Sequence, residues 1–260
     1  MAYETITLEI ADNIATVTLN RPDRLNAMGP QMADEISEAV DHLEGARVLL
    51  ITGAGRAFCS GADLQARGGA AALGASGPYG ALTRSYNPTM VKLSKLDVPI
   101  VTAVNGPAAG IGCSLALCSD FAIAGKSAYF LQAFVNIGLV PDGGSTWILP
   151  RLIGKARATQ MMLLGEKIGG EQAAGWGLIY KCVEDSELQS EARALAGRLA
   201  NGPTLALGIM RQNIAAALEM DYASAMTREA EGQRIAGASA DAREGGMSFL
   251  EKRKPVFTGK

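Results

Sequence analysis

Ile6, Leu8 and Ile10 alternate with polar or charged neighbours, and Ala15, Val17 and Leu19 repeat the pattern after Ala11-Asp12-Asn13. A period of two on both sides of a polar break predicts an antiparallel β-hairpin. Asn20-Arg21-Pro22-Asp23 ends it. The period then changes: Met32, Ile36, Val40 and Leu43 recur at helical spacing and predict an amphipathic helix over residues 30–44. Val48–Thr52 is a short continuous apolar run, as expected of a strand buried on both faces. Ile100–Val104 and Phe121–Ala124 read as two further strands. Lys92–Leu96 closes a helix, Ala109–Ser119 reads as helical, and Trp147–Leu164 reads as two helices meeting near Gly154. Residues 65–80, rich in Gly and Ala and containing Pro78, read as a mobile, loosely helical loop. From Glu187 onward the pattern is almost wholly helical, and Leu205, Ile209, Ile214 and Leu218 share one apolar face. Strands alternating with helices up to about residue 185 predict an α/β core. The apolar helical faces of residues 203–250 then suit contact between subunits.

Composition narrows the function classes. The 260 residues carry a net charge of −2, which gives no electrostatic reason to expect nucleic acid or an anionic membrane as partner. With 48% hydrophobic and 19% charged residues, a folded core is expected rather than disorder. Val98–Ser119 is uncharged and long enough to span a bilayer, but Pro99, Asn105, Gly106, Pro107, Gly110 and Gly112 break it, so a strand–loop–helix unit is the better reading. Met1–Leu8 lacks the basic start of a signal peptide. Cys59, Cys113, Cys118 and Cys182 form no C-x-x-C pair, and the lone His42 cannot complete a zinc set. Buried thiols in a reducing cytoplasm, and no metal, are expected.

Three glycine-rich segments hold the candidate chemistry: Gly53–Leu64, Asn105–Ser114 and Gly138–Ser145. Phe58 and Leu115 stand where a dinucleotide fingerprint needs its third glycine, and no segment has the Gly-Lys-Ser/Thr of a P-loop. His42, beside Asp41 and Glu44 in an amphipathic helix, reads as a solvated residue rather than a hydrolase base. What remains is backbone chemistry. A helix beginning near Gly110 leaves its first N–H groups without intrahelical partners, ready for an anion or a developing oxyanion. The Ser60-Gly61-Ala62-Asp63 turn can supply a second donor. On spacing alone, the glycines serve equally well as tight strand–helix turns.

Arg21-Pro22-Asp23-Arg24-Leu25-Asn26-Ala27-Met28, Ala57-Phe58-Cys59-Ser60-Gly61-Ala62-Asp63-Leu64, Asn105-Gly106-Pro107-Ala108-Ala109-Gly110-Ile111-Gly112-Cys113 and the ending Phe249–Phe257 resemble the enoyl-CoA hydratase/isomerase (crotonase) superfamily. The segment from Gln132-Ala133-Phe134 to Pro141-Asp142-Gly143-Gly144-Ser145-Thr146-Trp147, with Phe257–Lys260, is most similar to the branch that isomerises ring epoxides in bacterial phenylacetate breakdown. The resemblance implies an α/β fold, a crotonase-type spiral of ββα units with a helical C-terminal oligomerisation region. Residues 1–200 would form the acyl-CoA-binding core and 201–260 the helices that build a homotrimer, or a hexamer as a dimer of trimers. It puts the oxyanion-hole amides at Ala62 and Ile111, just after Gly110, and CoA contacts at Arg24, Leu25, Ala27, Ala62, Asp63 and Leu64. Phe257 and Lys260 would reach a CoA bound by a neighbouring subunit. CoA belongs to the substrate, so no separate cofactor is implied.

Two departures from the family pattern shape the functional expectation. The glutamates that hold water in family hydratases fall on Ser114 and Phe134, neither of which is a general base at neutral pH. Asp142, after Pro141, falls where several family isomerases and a dehalogenating branch carry their acidic residue; an N-cap for a helix over residues 143–149 is the plainer role for it. The expectation is an acyl-CoA isomerase with Asp142 as proton carrier and Phe134, Tyr129, Trp147 and the 65–90 loop walling the acyl pocket. An enoyl-CoA hydratase, a non-catalytic acyl-CoA-binding protein and an RNA-binding member of the fold are the rivals, the last disfavoured by the mild acidity.

Overall fold

The computed structural model describes residues 3–63 and 76–260. The alternating start of the chain folds into the expected hairpin, β1 (Ile6–Ala11) against β2 (Ile14–Leu19), with Leu8 opposite Val17. Strands β3 (Val48–Gly53), β4 (Ile100–Val104), β6 (Phe121–Gly125) and β9 (Lys181–Val183) extend it in parallel, giving a six-stranded sheet of order β1-β2-β3-β4-β6-β9. The continuous apolar runs are central strands because both sheet faces are covered. Leu49 and Ile51 of β3 join a core with α1 (Pro30–Asp41), whereas Val48 and Leu50 pack toward α7 (Leu188–Ala200). Alternation therefore persists in β3, but it sorts apolar residues between two cores instead of sorting apolar from polar.

A second, three-stranded sheet joins β5 (Ala108–Ala109), β7 (Tyr129–Leu131) and β8 (Ile168–Gly169). The helical reading of Ala109–Ser119 is corrected here. Ala108 and Ala109 pair with Phe130 and Leu131, and α4 runs only over Ile111–Leu117. Gly110 separates the two, with φ 52° and ψ −126°, a conformation that requires glycine. Val98–Ser119 is thus strand, turn and buried helix, and no described helix is long and apolar enough to cross a membrane. Of the segment 65–80 read as a loop, residues 65–75 lie outside the described residues. From residue 76 the chain is helical: α2 (Ser76–Ala81), a π-helical stretch (Leu82–Tyr86) and α3 (Asn87–Ser94). Trp147–Leu164 lies in α5 (Ser145–Leu164), interrupted at Gly154 as expected, and α6 (Gly170–Trp176) follows β8.

Helices α8 (Thr204–Ala217), α9 (Tyr222–Gly237) and α10 (Ala240–Leu250) complete the chain. Arg211 anchors α8 to the sheet-bearing part, donating to the carbonyls of Leu93 (2.9 Å) and Leu96 (2.7 Å) and pairing with Asp120 at 2.8 Å. On the apolar face, Ile209 packs against Gly232 of α9, whereas Ile214 and Leu218 stay 69% and 52% exposed, so the described residues of this chain leave that end of the face uncovered.

Asn26 fixes the turn that carries the next functional segment. It is fully buried with φ 54°. Its Oδ1 accepts from the Arg21 N–H at 2.8 Å, and its Nδ2 donates to the carbonyls of Ala54 (2.9 Å) and Ala57 (2.8 Å). Asparagine tolerates the left-handed region, and its amide satisfies three main-chain groups at once. Asn26→Ala is expected to destabilise the protein by about 3 kcal/mol, from buried groups left unpaired and a strained φ, measured by urea denaturation.

Candidate active site

The site is built from backbone segments that lie far apart in sequence and side by side in space. Residues 24–28 run beside 60–63. Ser60 N–H donates to Leu25 O at 3.0 Å, Met28 N–H to Gly61 O at 2.8 Å, and Asp63 N–H to Met28 O at 2.8 Å. On the other side, Cys59 pairs with Ala108 through Cys59 N–H to Pro107 O (3.0 Å) and Ala109 N–H to Cys59 O (2.9 Å). The strip from Cys59 to Ala62 is therefore clamped between the Arg24–Met28 turn and β5.

This clamping orients two amides. A trans peptide holds its C=O and N–H in opposite directions. Met28 binds the carbonyl of Gly61, so the Ala62 N–H points away from Met28. The Gly110 carbonyl accepts from the N–H groups of Cys113 (3.0 Å) and Ser114 (3.1 Å) inside α4, so the Ile111 N–H points out of the helix N-terminus. The two peptides are neighbours: a Cβ on Gly61 would lie 3.2 Å from Ala109 O, and one on Gly110 would lie 3.9 Å from the Gly61 Cα. That same Gly110 position faces the buried Phe134 ring, 3.5 Å from its Cζ, so Phe134 packs against the junction of β5 and α4.

The Asp142 turn closes on the same helix end. A Cβ on Gly143 would lie 2.5 Å from Ile111 Cδ1 and 2.7 Å from Ser114 Cβ, so only glycine, here at φ 59°, lets the turn sit on α4. Asp142 is half-buried, and its Oδ1 is shielded from solvent. Its main-chain carbonyl accepts from Ser145 N–H at 3.2 Å and from Ser114 Oγ at 3.0 Å. The N-cap reading is corrected. Helix α5 begins at Ser145 with Gly144 as N-cap, and no side chain caps it. The two glycines after Asp142, both at positive φ, delay the helix and turn the acid out of capping position.

Arg24, Leu25 and Ala27 lie on the turn beside Ala62, with Arg24 exposed, and Leu64 lies outside the described residues. Asp63 is 7% exposed, and its carboxylate pairs with Arg21 at 2.8 Å, while Arg21 also donates to Ala27 O at 2.7 Å. This ion pair ties the Arg24–Met28 turn to the Ala62 strip. Its members are bound by sequence-distant geometry that no local pattern announces.

The Trp147 indole N–H donates to Glu219 at 2.9 Å, and Arg151 lies over its ring at 4.1 Å. Ser145 and Leu149 face inward one helical turn apart, which puts Trp147 on the opposite side of α5. Tyr129 carries Lys167 over its ring at 4.4 Å, while its β7 neighbour Phe130 takes the inward position. Phe257 and Lys260 are held within their own chain: Phe257 O accepts from Arg47, and Lys260 O from Asp241 N–H. Neither tail residue joins the Ala62–Ile111–Asp142 cluster among the described residues.

The remaining candidates behave as ordinary structural groups. Burial pushes the thiols of Cys59 and Cys113 up to about 11 and about 12, so both stay protonated packing groups at neutral pH. His42 is exposed at the end of α1. Two polar residues that sequence reasoning passed over, Gln132 and Ser145, are buried beside Ser114. Gln132 Nε2 donates to Ser145 Oγ at 2.9 Å, and the Ser145 and Ser114 hydroxyls lie 2.7 Å apart.

The sequence and the fold are those of a family with known members. Residues 9–260 match the family model described as enoyl-CoA hydratase/isomerase. The chain is 44% identical over 265 residues to the 1,2-epoxyphenylacetyl-CoA isomerase of Escherichia coli, covering 99% of both chains. It is also 44% identical over 261 residues to a Rhodobacter capsulatus protein named "Probable enoyl-CoA hydratase", covering 100% of both. A solved structure titled as an enoyl-CoA hydratase subunit from Geobacillus kaustophilus superposes with a TM-score of 0.92 at 35% identity, covering 99% of each chain. The chain belongs to the enoyl-CoA hydratase/isomerase family.

Proposed function

We propose that this protein is an acyl-CoA isomerase that shifts a double bond or rearranges a ring epoxide of a CoA thioester. The thioester carbonyl accepts hydrogen bonds from the Ala62 and Ile111 amides, whose directions are set by the carbonyl bonds of Gly61 and Gly110. Each such donor lowers the barrier by roughly 3–4 kcal/mol where water is excluded. In the double-bond shift, Asp142 takes a proton from the carbon next to the thioester carbonyl, leaving an enolate conjugated with the neighbouring double bond. It returns that proton two carbons further along. One carboxylate serves both steps because the bound chain cannot turn over between them. Arg24, Leu25, Ala27 and the Ala62–Leu64 backbone hold the CoA portion, and Gly110, Phe134 and Pro141 border the acyl portion.

The observation that carries this reading is the identity of the groups around Asp142. The positions of the two hydratase glutamates are a serine hydroxyl engaged with the Asp142 main chain and a phenyl ring packed on Gly110. The carboxylate next to Ala62, that of Asp63, is committed to Arg21. A two-carboxylate water site is thus missing from the described residues of the cluster. The isomerase named among the relatives points the same way, and the hydratase names keep hydration as the second reading.

We also infer that the uncovered end of the apolar face of α8 meets a second copy of this chain, in a trimer or dimer of trimers, which would bring a partner's Phe257 and Lys260 toward the CoA.

Three expectations follow. Isomerisation of a 3-enoyl-CoA is expected to outpace hydration of crotonyl-CoA, and fast hydration without isomerisation would refute the isomerase assignment. Asp142→Asn is expected to lower isomerisation by about 1000-fold while leaving acyl-CoA affinity within about threefold, by stopped assay and calorimetry; unchanged turnover removes Asp142 from the mechanism. Light scattering at micromolar concentration is expected to give a trimer or hexamer, and a monomer contradicts the assembly.

A further inference from the structure

We propose that Ser114, standing where the resemblance puts a hydratase glutamate, is a positioning residue for Asp142. It is the last link of a buried, one-directional hydrogen-bond chain that starts at Gln132. The inference rests on Asp142 as the proton carrier and adds how this chain holds that acid without a second carboxylate.

The direction of the chain follows from donor counting. Gln132 Nε2 donates to Ser145 Oγ at 2.9 Å, so the Ser145 hydroxyl has its own proton to give. The carbonyls beside Ser114 can only accept, so its one proton goes to a carbonyl, and its oxygen accepts from the Ser145 hydroxyl 2.7 Å away. Ser114 has one proton left and two carbonyls within reach, Asp142 O at 3.0 Å and Gly110 O at 3.4 Å. The shorter contact takes it. Gln132, Ser145 and Ser114 are at most 2% exposed, so water does not compete for these bonds. A buried chain of this kind is cooperative and selects one arrangement.

The Asp142 carbonyl needs such a hold. Gly143 and Gly144 follow it at φ 59° and 84°, and two left-handed glycines in sequence make a backbone joint with little intrinsic preference. The Ser145 N–H at 3.2 Å and the Ser114 hydroxyl at 3.0 Å both bind that carbonyl, and together they restrain the Cα–Cβ direction of the acid. Ser114 sits on the first turn of α4, the helix that presents the Ile111 amide. The chain therefore locks the distance between proton carrier and oxyanion donor, and a displacement of about 1 Å there costs on the order of 100-fold in rate.

The test compares Ser114→Ala, Ser145→Ala, Asp142→Asn and the Ser114→Ala/Asp142→Asn double variant, each assayed for 3-enoyl-CoA isomerisation, acyl-CoA affinity and thermal melting. Ser114→Ala is expected to lower kcat by about 10–100-fold with KM and acyl-CoA affinity unchanged. Ser145→Ala, which frees the Ser114 proton to wander, is expected to lower kcat by a smaller factor, also without a KM change. In the Asp142→Asn background, Ser114→Ala is expected to cost less than twofold more. A kcat for Ser114→Ala equal to that of the parent protein overturns the proposal, as does an equal further loss in the double variant. If Ser114→Ala does not fold, Ser145→Ala decides by the same split of kcat from KM. Asp142→Asn with full turnover removes the acid itself, an outcome distinct from a dead Asp142→Asn beside a fully active Ser114→Ala.

Discussion

The pairing of one short strip, Cys59 to Asp63, with two other stretches of main chain sets everything around it. Bonds from Met28 and to Leu25 hold one edge of the strip, and bonds to Pro107 and from Ala109 hold the other. Peptide planarity converts those bonds into the orientation of the Ala62 N–H, without a side chain taking part. The glycines of this region are explained by that closeness. A Cβ on Gly112 would lie 2.3 Å from Cys59 O, so the helix carrying Ile111 can approach the strip only because that residue has none.

Side chains enter as braces for backbone. Asn26 ties its turn to Ala54 and Ala57, and the Arg21–Asp63 pair ties the same turn to the strip. Gln132, Ser145 and Ser114 hold the Asp142 turn against α4 from beneath. Asn26, Asp63, Gln132, Ser145 and Ser114 are buried, and their bonds to main chain and to one another favour a rigid arrangement over a merely stable one. A site that stabilises developing charge works by dipoles already aimed before the reaction starts, so rigidity is the property it needs.

Legibility in the sequence followed the physical range of each signal. The hairpin, the strands β3, β4 and β6, α1 and the break at Gly154 were readable because period and punctuation are local. The two-residue strand β5 was not, since its pairing with β7 is decided some twenty residues away and Ala-Ala has no strand signature. The contacts of Trp147 with Glu219 and of Tyr129 with Lys167 were not readable, because being aromatic and near the motif says nothing about helical phase or strand face. Asp142 as an N-cap failed for a related reason: Asp before a helix is a good local rule, and Gly143-Gly144 overrode it by delaying the helix to Ser145. Gln132 and Ser145 gave no warning, because a polar residue in a loop acquires meaning only from what buries it.

By itself the sequence determined the α/β alternation, the family to which the chain belongs, and which residues are available as donors and acids. Those properties reside in local periodicity and in contiguous motifs. The tertiary structure decided which amides point outward, which carboxylate is tied into an ion pair, and which aromatic ring meets Gly110. Each of these depends on bonds between segments tens of residues apart, and no window along the chain contains both partners.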